Sequence, residues 1–234
     1  MGLNHAVALV AGASGDIGRA ISLHLLGTGA EVFMLGRSMR KLRQPPPPER
    51  FQERCHFVAA DLTEDDAVAR VGAEISSKGR LDVLILSSGT YERSHEPTVF
   101  ANQIAANLIG PYALLQRLLP LLLEARGQVV FVNSSQALRA TAGLGQYAAT
   151  KHAMKAVADS LRDEVNAQGV RVMSLFLGRT ASERQRAIFA AEGRPYPPER
   201  LIQPADVARL VLFLLRLPRT SEVTDIVMRP MLKT

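Results

Sequence analysis

Short apolar runs of strand length alternate along this chain with longer segments of helical period, and glycines punctuate many of the junctions. Residues 5–11 (HAVALVA) form an apolar run that stops at Gly12-Ala-Ser-Gly15-Asp-Ile-Gly18, the pattern of a buried strand, a glycine turn and a helix. The helix is expected over 17–26, closed by Gly27 and Gly29, and 31–35 (EVFML) follows as a second strand. Pro45 to Pro48 is a stiff excursion through which no helix continues. A third strand over 56–60 ends in Asp61-Leu62, a polar helix spans about 64–77, and a fourth strand, 81–86 (LDVLIL), runs into Ser87-Ser88-Gly89. A long helix can be drawn over 99–124, and Gly110, Pro111 and Pro120 within it predict a bend. The fifth strand, 128–132, delivers Ser134 at its carboxyl end. A helix from Gln146 onward carries Met154, Val157, Ala158, Leu161 and Val165 at helical spacing, a stripe for core or subunit packing. The sixth strand covers 170–177, residues 178–204 read as irregular and arginine-rich, and a helix over 206–215 and a strand near 223–228 finish the pattern.

Seven strands alternating with helices predict an α/β fold: a doubly wound parallel sheet with helices on both faces and ligands at the carboxyl ends of its strands. A chain of 234 residues, 47% hydrophobic, suits one domain over 1–234. The irregular segment, at about 179–204, is the right kind of stretch for a mobile cover over a site.

Composition narrows the partners. There is no tryptophan, which argues against an interface built on aromatic anchors, and the single Cys55 cannot form an internal disulfide. With no charged-then-apolar leader ahead of the first strand, a cytoplasmic location is expected. The longest apolar run, 118–123, contains Pro120 and is far short of a membrane span, so no membrane partner is expected. The net charge of +6 is concentrated in two places. Residues 179–219 hold eight arginines against four carboxylates, and Arg37, Arg40, Lys41 and Arg43 form a second cluster. Such local patches suit small anions at least as well as a phosphodiester backbone, and no nucleic-acid motif accompanies them. His5, His24, His56, His95 and His152 lack the spacing of a metal site, and no metal is expected.

The glycine turn carries the first chemistry. In a β-α-β unit, Gly12 would permit the tight turn, Gly15 would let the backbone approach a pyrophosphate, and Gly18 would allow close helix packing, with Ser14 and Ile17 in the same turn. The helix N-terminus supplies an anion site. Asp16 is an oddity beside a phosphate and could simply favour the helix start. The alternative is a glycine-rich turn with no ligand. Where an NAD site wants a carboxylate, this chain has Gly36, then Arg37 and Ser38. Arg37 can meet a 2′-phosphate instead, so NADP (NADPH) is the expected cofactor, against the alternative of a solvated basic loop. Small residues at Ser88 and Gly89 would let a cofactor lie against the fourth strand's end. Tyr147 and Lys151, four apart on one helix face, could share a ligand, and an ammonium beside the phenol would favour the phenolate. Ser134, thirteen residues upstream, adds a hydroxyl. The alternative is a pair that only supports its helix.

The ordered set Gly12, Gly15, Gly18, Asp61, Gly89, Asn107, Ser134, Tyr147 and Lys151 resembles the short-chain dehydrogenase/reductase family over about residues 7–182. The resemblance implies a Rossmann fold in which Tyr147 donates and accepts the proton, Lys151 lowers its pKa and bonds the nicotinamide ribose, and Ser134 holds the substrate oxygen. It further implies that Asn107 anchors a water leading protons from Lys151 to solvent, that Asp61 and Leu62 border the adenine, and that the stretch with Gly178, Thr180 and Ser182 contacts the nicotinamide amide. Departures are the Gly-x-x-Gly-x-x-Gly spacing, Ser87-Ser88-Gly89 in place of Asn-Asn-Ala-Gly, Leu177 where proline is usual, and Ser182 for threonine. Ser135 adjoins Ser134, and the usual spacing to the tyrosine selects Ser134.

The resulting reading is an NADP(H)-dependent oxidoreductase that interconverts a carbonyl and a secondary alcohol, acting on a small molecule as a homodimer or homotetramer. A cofactor-sensing regulator on the same fold is the alternative, and a basic nucleic-acid binder has only charge behind it. Arg184, Arg186, Arg194 and Arg200 in the covering segment favour an anionic or strongly polar substrate.

Overall fold

A computed structural model describes residues 2–232; the remainder of the expected 1–234 unit, Met1, Lys233 and Thr234, lies outside the described residues. Its centre is one sheet of seven parallel strands in the order β3-β2-β1-β4-β5-β6-β7. The strands are β1 (Val7–Ala11), β2 (Glu31–Gly36), β3 (Cys55–Ala59), β4 (Val83–Leu86), β5 (Gln128–Ser134), β6 (Arg171–Leu177) and β7 (Asp225–Met228). Because parallel strands are joined by crossovers that put helices on both faces, the central strands bury both sides, and every residue of β1 and β6 is buried.

Side-chain alternation divides the apolar residues between two cores. Ala8 and Val10 of β1 pack with Val32 and Met34 of β2 on the face covered by α1 (Asp16–Leu26) and α8 (Pro204–Arg216). Val7, Leu9 and Ala11 join Phe33 and Leu35 on the other face, under α3 (Asp65–Ser76), α5 (Gly110–Glu124) and α6 (Gly145–Val165). Three shorter helices complete the set: α2 (Met39–Leu42), α4 (Pro97–Ile104) and α7 (Glu183–Ala191). Helix starts follow the local chemistry. Pro97 and Pro204 stand in the first turns of α4 and α8, where a missing N–H is harmless, and the Ser38 and Ser182 hydroxyls cap α2 and α7.

One expectation gains detail and one changes. The helix drawn over 99–124 is continuous from Pro97 to Glu124, but its middle, Ala105–Ile109, is a single π-helical stretch, while Pro120 sits inside α5 without ending it. Length and composition alone would let this 28-residue stretch cross a membrane; here Leu114, Leu115, Leu118 and Leu122 are fully buried against the sheet. The segment after β6 is not irregular. It contains α7 and a bridge between Thr180 and Ile202, and Phe189 is buried with Arg179 and Arg194 stacked on its ring.

Strand order reverses on either side of β1, whose neighbours are β2 and β4. In open parallel sheets the crevice at such a switch point, outside the carboxyl ends of the strands, is where ligands bind. The glycine turn after β1 and Ser87-Ser88-Gly89 after β4 both open there.

Candidate active site

The turn after β1 has the geometry that its three glycines predict. Gly12 has φ +87°, and a Cβ there would lie 2.6 Å from the Ser87 carbonyl carbon. A Cβ on Gly18 would lie 2.4 Å from the Gly12 carbonyl oxygen, so that glycine lets α1 pack tightly on the strand end. Gly15 is different: the nearest atom to a built Cβ is 3.5 Å away, and the residue is exposed. Of the three, Gly15 alone has open space beside its backbone. Ser14 lies under the end of β2, where its hydroxyl would meet a Cβ on Gly36 at 2.8 Å, and Ile17 is half-buried.

Asp16 faces away from the turn. Its carboxylate accepts a hydrogen bond from the Glu183 amide at 3.1 Å, which places the acid at the N-terminus of α7 as well as in the first turn of α1. Beyond β2, Arg37 is exposed and forms no ion pair among the described residues, and the Ser38 hydroxyl accepts from the Lys41 amide. Asp61 accepts from the Thr63 amide and hydroxyl, and the Leu62 carbonyl abuts Gly110, where a Cβ would approach to 2.3 Å. The Ser88 hydroxyl is buried without a hydrogen-bond partner. Such an orphaned polar atom after β4, next to the glycine turn that Gly12 opens, fits a polar ligand laid across the strand ends.

The second half of the site is built on β5 and α6. Asn133, buried on β5, accepts from the Ser134 amide at 2.8 Å and donates through Nδ2 to the Lys151 carbonyl at 3.1 Å, tying the strand end to the helix. The Ser134 hydroxyl accepts from the Gln136 amide and is hydrogen-bonded with Tyr147. Ser135 instead opens a 3-10 turn and caps it with its carbonyl. The Lys151 ammonium lies 5.7 Å from the centre of the Tyr147 ring, and a Cβ on Gly89 would be 3.6 Å from the same nitrogen. The π-helical stretch turns Asn107 inward: Oδ1 accepts from the Thr90 amide at 2.6 Å, and Nδ2 donates to the Thr90 carbonyl and the Thr150 hydroxyl. Asn107, Ser134, Tyr147 and Lys151 thus converge at the mouth of β4 and β5.

More than Lys151 acts on the phenol. Burial pushes the Tyr147 hydroxyl up, and the groups that draw it back are the Arg184 charge and the Ser134 hydrogen bond. Lys151 itself is lowered to about 8, by burial first and by Arg184 second. Arg184 comes from the first turn of α7, and its guanidinium donates to the Gly89 carbonyl at 2.6 Å.

The stretch after β6 is anchored rather than loose. Thr180 is buried, with its hydroxyl donating to the Gly178 carbonyl, and the Ser182 amide donates to the Tyr196 hydroxyl at 2.9 Å. Arg186 pairs with Glu183 and stacks on Tyr196; Arg194 pairs with Glu192. Four positions escaped the sequence reading: Asn133, Thr150, Tyr196, and Tyr91, which meets Tyr147 edge-on at 5.2 Å between ring centres. Of these only Asn133 had a visible signal, its place beside Ser134 at the end of a strand. Among the described residues no cluster of metal-ligating side chains is found.

A doubly wound sheet with a glycine turn at its switch point and a Ser-Tyr-Lys group opposite defines a nucleotide-dependent α/β enzyme. The short chain dehydrogenase family model matches residues 6–193. An uncharacterised oxidoreductase of Staphylococcus aureus (strain USA300) is 30% identical, over 97% of this chain and 98% of its own length. One of Escherichia coli K12 is 31% identical over 91% and 87%. Among solved structures, a short chain dehydrogenase of Shigella flexneri complexed with NADP superposes with a TM-score of 0.87 at 28% identity, covering 97% of this chain and 98% of that one. A short chain dehydrogenase of Escherichia coli CFT073 complexed with NADPH gives 0.85 at 28%, covering 97% of each. The chain belongs to the short-chain dehydrogenase/reductase family and is an oxidoreductase of that type.

Proposed function

We propose that this oxidoreductase is NADP(H)-dependent and interconverts a carbonyl and a secondary alcohol of a small molecule, with Tyr147 as the proton donor and acceptor. The observation that carries the reading is the convergence of Ser134, Tyr147 and Lys151 at the carboxyl ends of β4 and β5, next to the switch point, with the phenol hydrogen-bonded to Ser134 and held neutral by burial. Arg37 beyond β2, with no acid there, supports NADP(H) over NAD(H), as do the relatives solved with NADP and NADPH. The turn with Gly12, Gly15 and Gly18, the helix α1 N-terminus, and Ser88 would hold the cofactor's pyrophosphate and its neighbourhood; Asp61 and Leu62 would border the adenine, and Gly178, Thr180 and Ser182 the nicotinamide end.

When bound, the nicotinamide supplies or accepts the hydride. The protein's own part is the proton. In reduction, the Ser134 hydroxyl donates to the substrate oxygen and neutral Tyr147 releases its proton there, so that one proton and one hydride together convert carbonyl to alcohol. A phenol raised by burial is a reluctant anion, and Lys151 and Arg184 are the two nearby cations that stabilise it while it is deprotonated. Asn107 keeps a lone pair on its amide oxygen for a water that would pass protons between solvent and Lys151, inward to restore Tyr147 in reduction and outward in oxidation. Residues 1–234 act as one domain, with 179–204 as the substrate cover. Assembly as a homodimer or homotetramer would use the outer faces of α5 and α6, where Tyr112 and Val157 line an open groove.

The test is NADPH oxidation at 340 nm against a panel of ketones, aldehydes and oxo acids, run beside Tyr147→Phe. Turnover by the wild type and its loss in the variant is the expected result. Binding of NADPH without turnover of any substrate would replace this reading with that of a sensor.

A further inference from the structure

The cleft carries two cations and no acid to match them. None of the ion pairs among the described residues includes Lys151 or Arg184. The nearby carboxylate of Asp16 is turned onto the α7 N-terminus by its bond to the Glu183 amide. The other arginines of the covering segment for which contacts are described are engaged within it: Arg179 and Arg194 on Glu192 and Phe189, Arg186 on Glu183 and Tyr196. Arg184 leaves the segment and crosses to the Gly89 carbonyl, the residue whose Cα side faces both the Asn107 amide oxygen and the Lys151 ammonium. It uses a single hydrogen bond to a neutral oxygen, whereas a guanidinium has five N–H groups in a fork that matches a carboxylate. Its charge also reaches Tyr147 and Lys151.

We infer that Arg184 is a specificity-determining residue: it receives a carboxylate carried by the substrate near its reacting carbonyl, exchanging the Gly89 carbonyl for a paired, charge-assisted contact. The inference rests on the carbonyl–alcohol reading above and names the class of compound, an oxo acid or the corresponding hydroxy acid. Tyr91 meets the Tyr147 ring edge-on, an aromatic surface next to the proposed proton donor that would suit a planar group beside the carbonyl. Bringing an anion in also relieves the repulsion between Arg184 and Lys151, which a neutral ketone leaves in place.

The experiment compares the full-length wild type, Arg184→Met and Arg184→Lys with NADPH on matched pairs: pyruvate, acetoacetate, levulinate and phenylglyoxylate against their methyl esters. The wild type is expected to favour at least one acid over its ester, and Arg184→Met to lower that acid-to-ester ratio of kcat/KM by about 10- to 100-fold, mainly through KM, the scale of a lost charged hydrogen bond. Arg184→Lys, which keeps charge but not the fork, should fall between. A second readout does not depend on turnover: the shift in thermal midpoint of the NADPH-saturated protein on titration with benzoate, an unreactive carboxylate. Benzoate should stabilise the wild type, and Arg184→Met should need at least about 10-fold more of it. Equal acid-to-ester ratios in wild type and Arg184→Met, or equal benzoate responses, overturn the inference. If no carbonyl compound is turned over, the catalytic reading fails by itself, and the benzoate titration still decides whether Arg184 binds a carboxylate.

Discussion

Asp16 and Glu183 stand 167 residues apart, yet the Asp16 carboxylate accepts the Glu183 amide at 3.1 Å, joining the glycine turn to the first residue of α7. An acid beside the expected pyrophosphate is thereby explained: it caps the helix of the covering segment instead of facing the phosphate site. Asp16→Ala should therefore loosen the segment locally. Limited trypsin digestion should cut after Arg184 and Arg186 several-fold faster than in the wild type, while urea denaturation registers a loss of only about 1 kcal/mol, the size of one exposed cap. Asp16→Asn, which keeps an acceptor, should digest more slowly than the alanine variant. Unchanged cleavage in Asp16→Ala would mean the link holds nothing.

The three glycines separate fold from ligand. Gly12→Ala puts a side chain at φ +87° and into the Ser87 carbonyl, and should destabilise the protein by at least about 2 kcal/mol in urea denaturation. Gly15→Ala meets nothing closer than 3.5 Å at an ordinary φ of −93°, so its stability should stay near that of the wild type. Its affinity for NADPH, followed by fluorescence, should nonetheless fall at least about 10-fold if the backbone there touches a phosphate. Normal affinity in Gly15→Ala would rule out the close approach.

Arg37 offers a clean discrimination between cofactors. Replacing it by alanine should weaken NADPH binding by about 1.5–3 kcal/mol, the range for a hydrogen bond to a charged group, and leave NADH nearly unchanged. Titration of both dinucleotides measures this, and equal losses would remove Arg37 from the 2′-phosphate.

Tyr147→Phe keeps the ring that meets Tyr91 edge-on, so the variant should fold and bind NADPH near normally. Turnover should fall at least about 10²-fold, the usual effect of losing a positioned acid. Normal turnover in this variant would assign the proton to another group.

Lys151 gives a pH signature in stability. Its ammonium is lowered from 10.5 to about 8 in the fold, so between those values the unfolded chain binds more protons than the native one and stability rises with pH. The contribution is fully present above the unfolded value and is lost as pH falls through about 8. Subtracting the denaturation free energy of Lys151→Met from that of the wild type cancels the other groups. The difference should climb by up to about 3 kcal/mol between pH 8 and 10.5. A flat difference would mean that the amine stays hydrated in the native state.

Much of this architecture is legible in the sequence because its signals are local. Continuous apolar runs mark strands buried on both faces, and Gly12 and Gly18 mark backbone approaches that no side chain survives. The segment 179–204 was harder. Its helix has only two large apolar side chains, Ile188 and Phe189, and what orders it lies far away in sequence or is aromatic and isolated: Asp16, Tyr196, the buried Phe189. The balance of charge around Tyr147 was also out of reach, since a four-residue spacing places Lys151 near the phenol but says nothing of burial or of an arginine arriving from another element. Asn133 shows the same limit, being one more polar residue at a strand end until the helix carbonyl that it holds is known.

The π-helical stretch at Ala105–Ile109 acts as a phase shifter in an otherwise regular helix. One residue more than an α-helix needs rotates everything on one side of it by about 100° relative to the other, since each residue of an α-helix turns the chain by that angle. The aim of the Asn107 amide at both backbone groups of Thr90 therefore depends on chain length as well as on the asparagine itself. Deleting a single residue between 105 and 109 would give a more regular helix and a misdirected amide, so in this part of the molecule a shorter chain is a worse one even where every remaining side chain is kept.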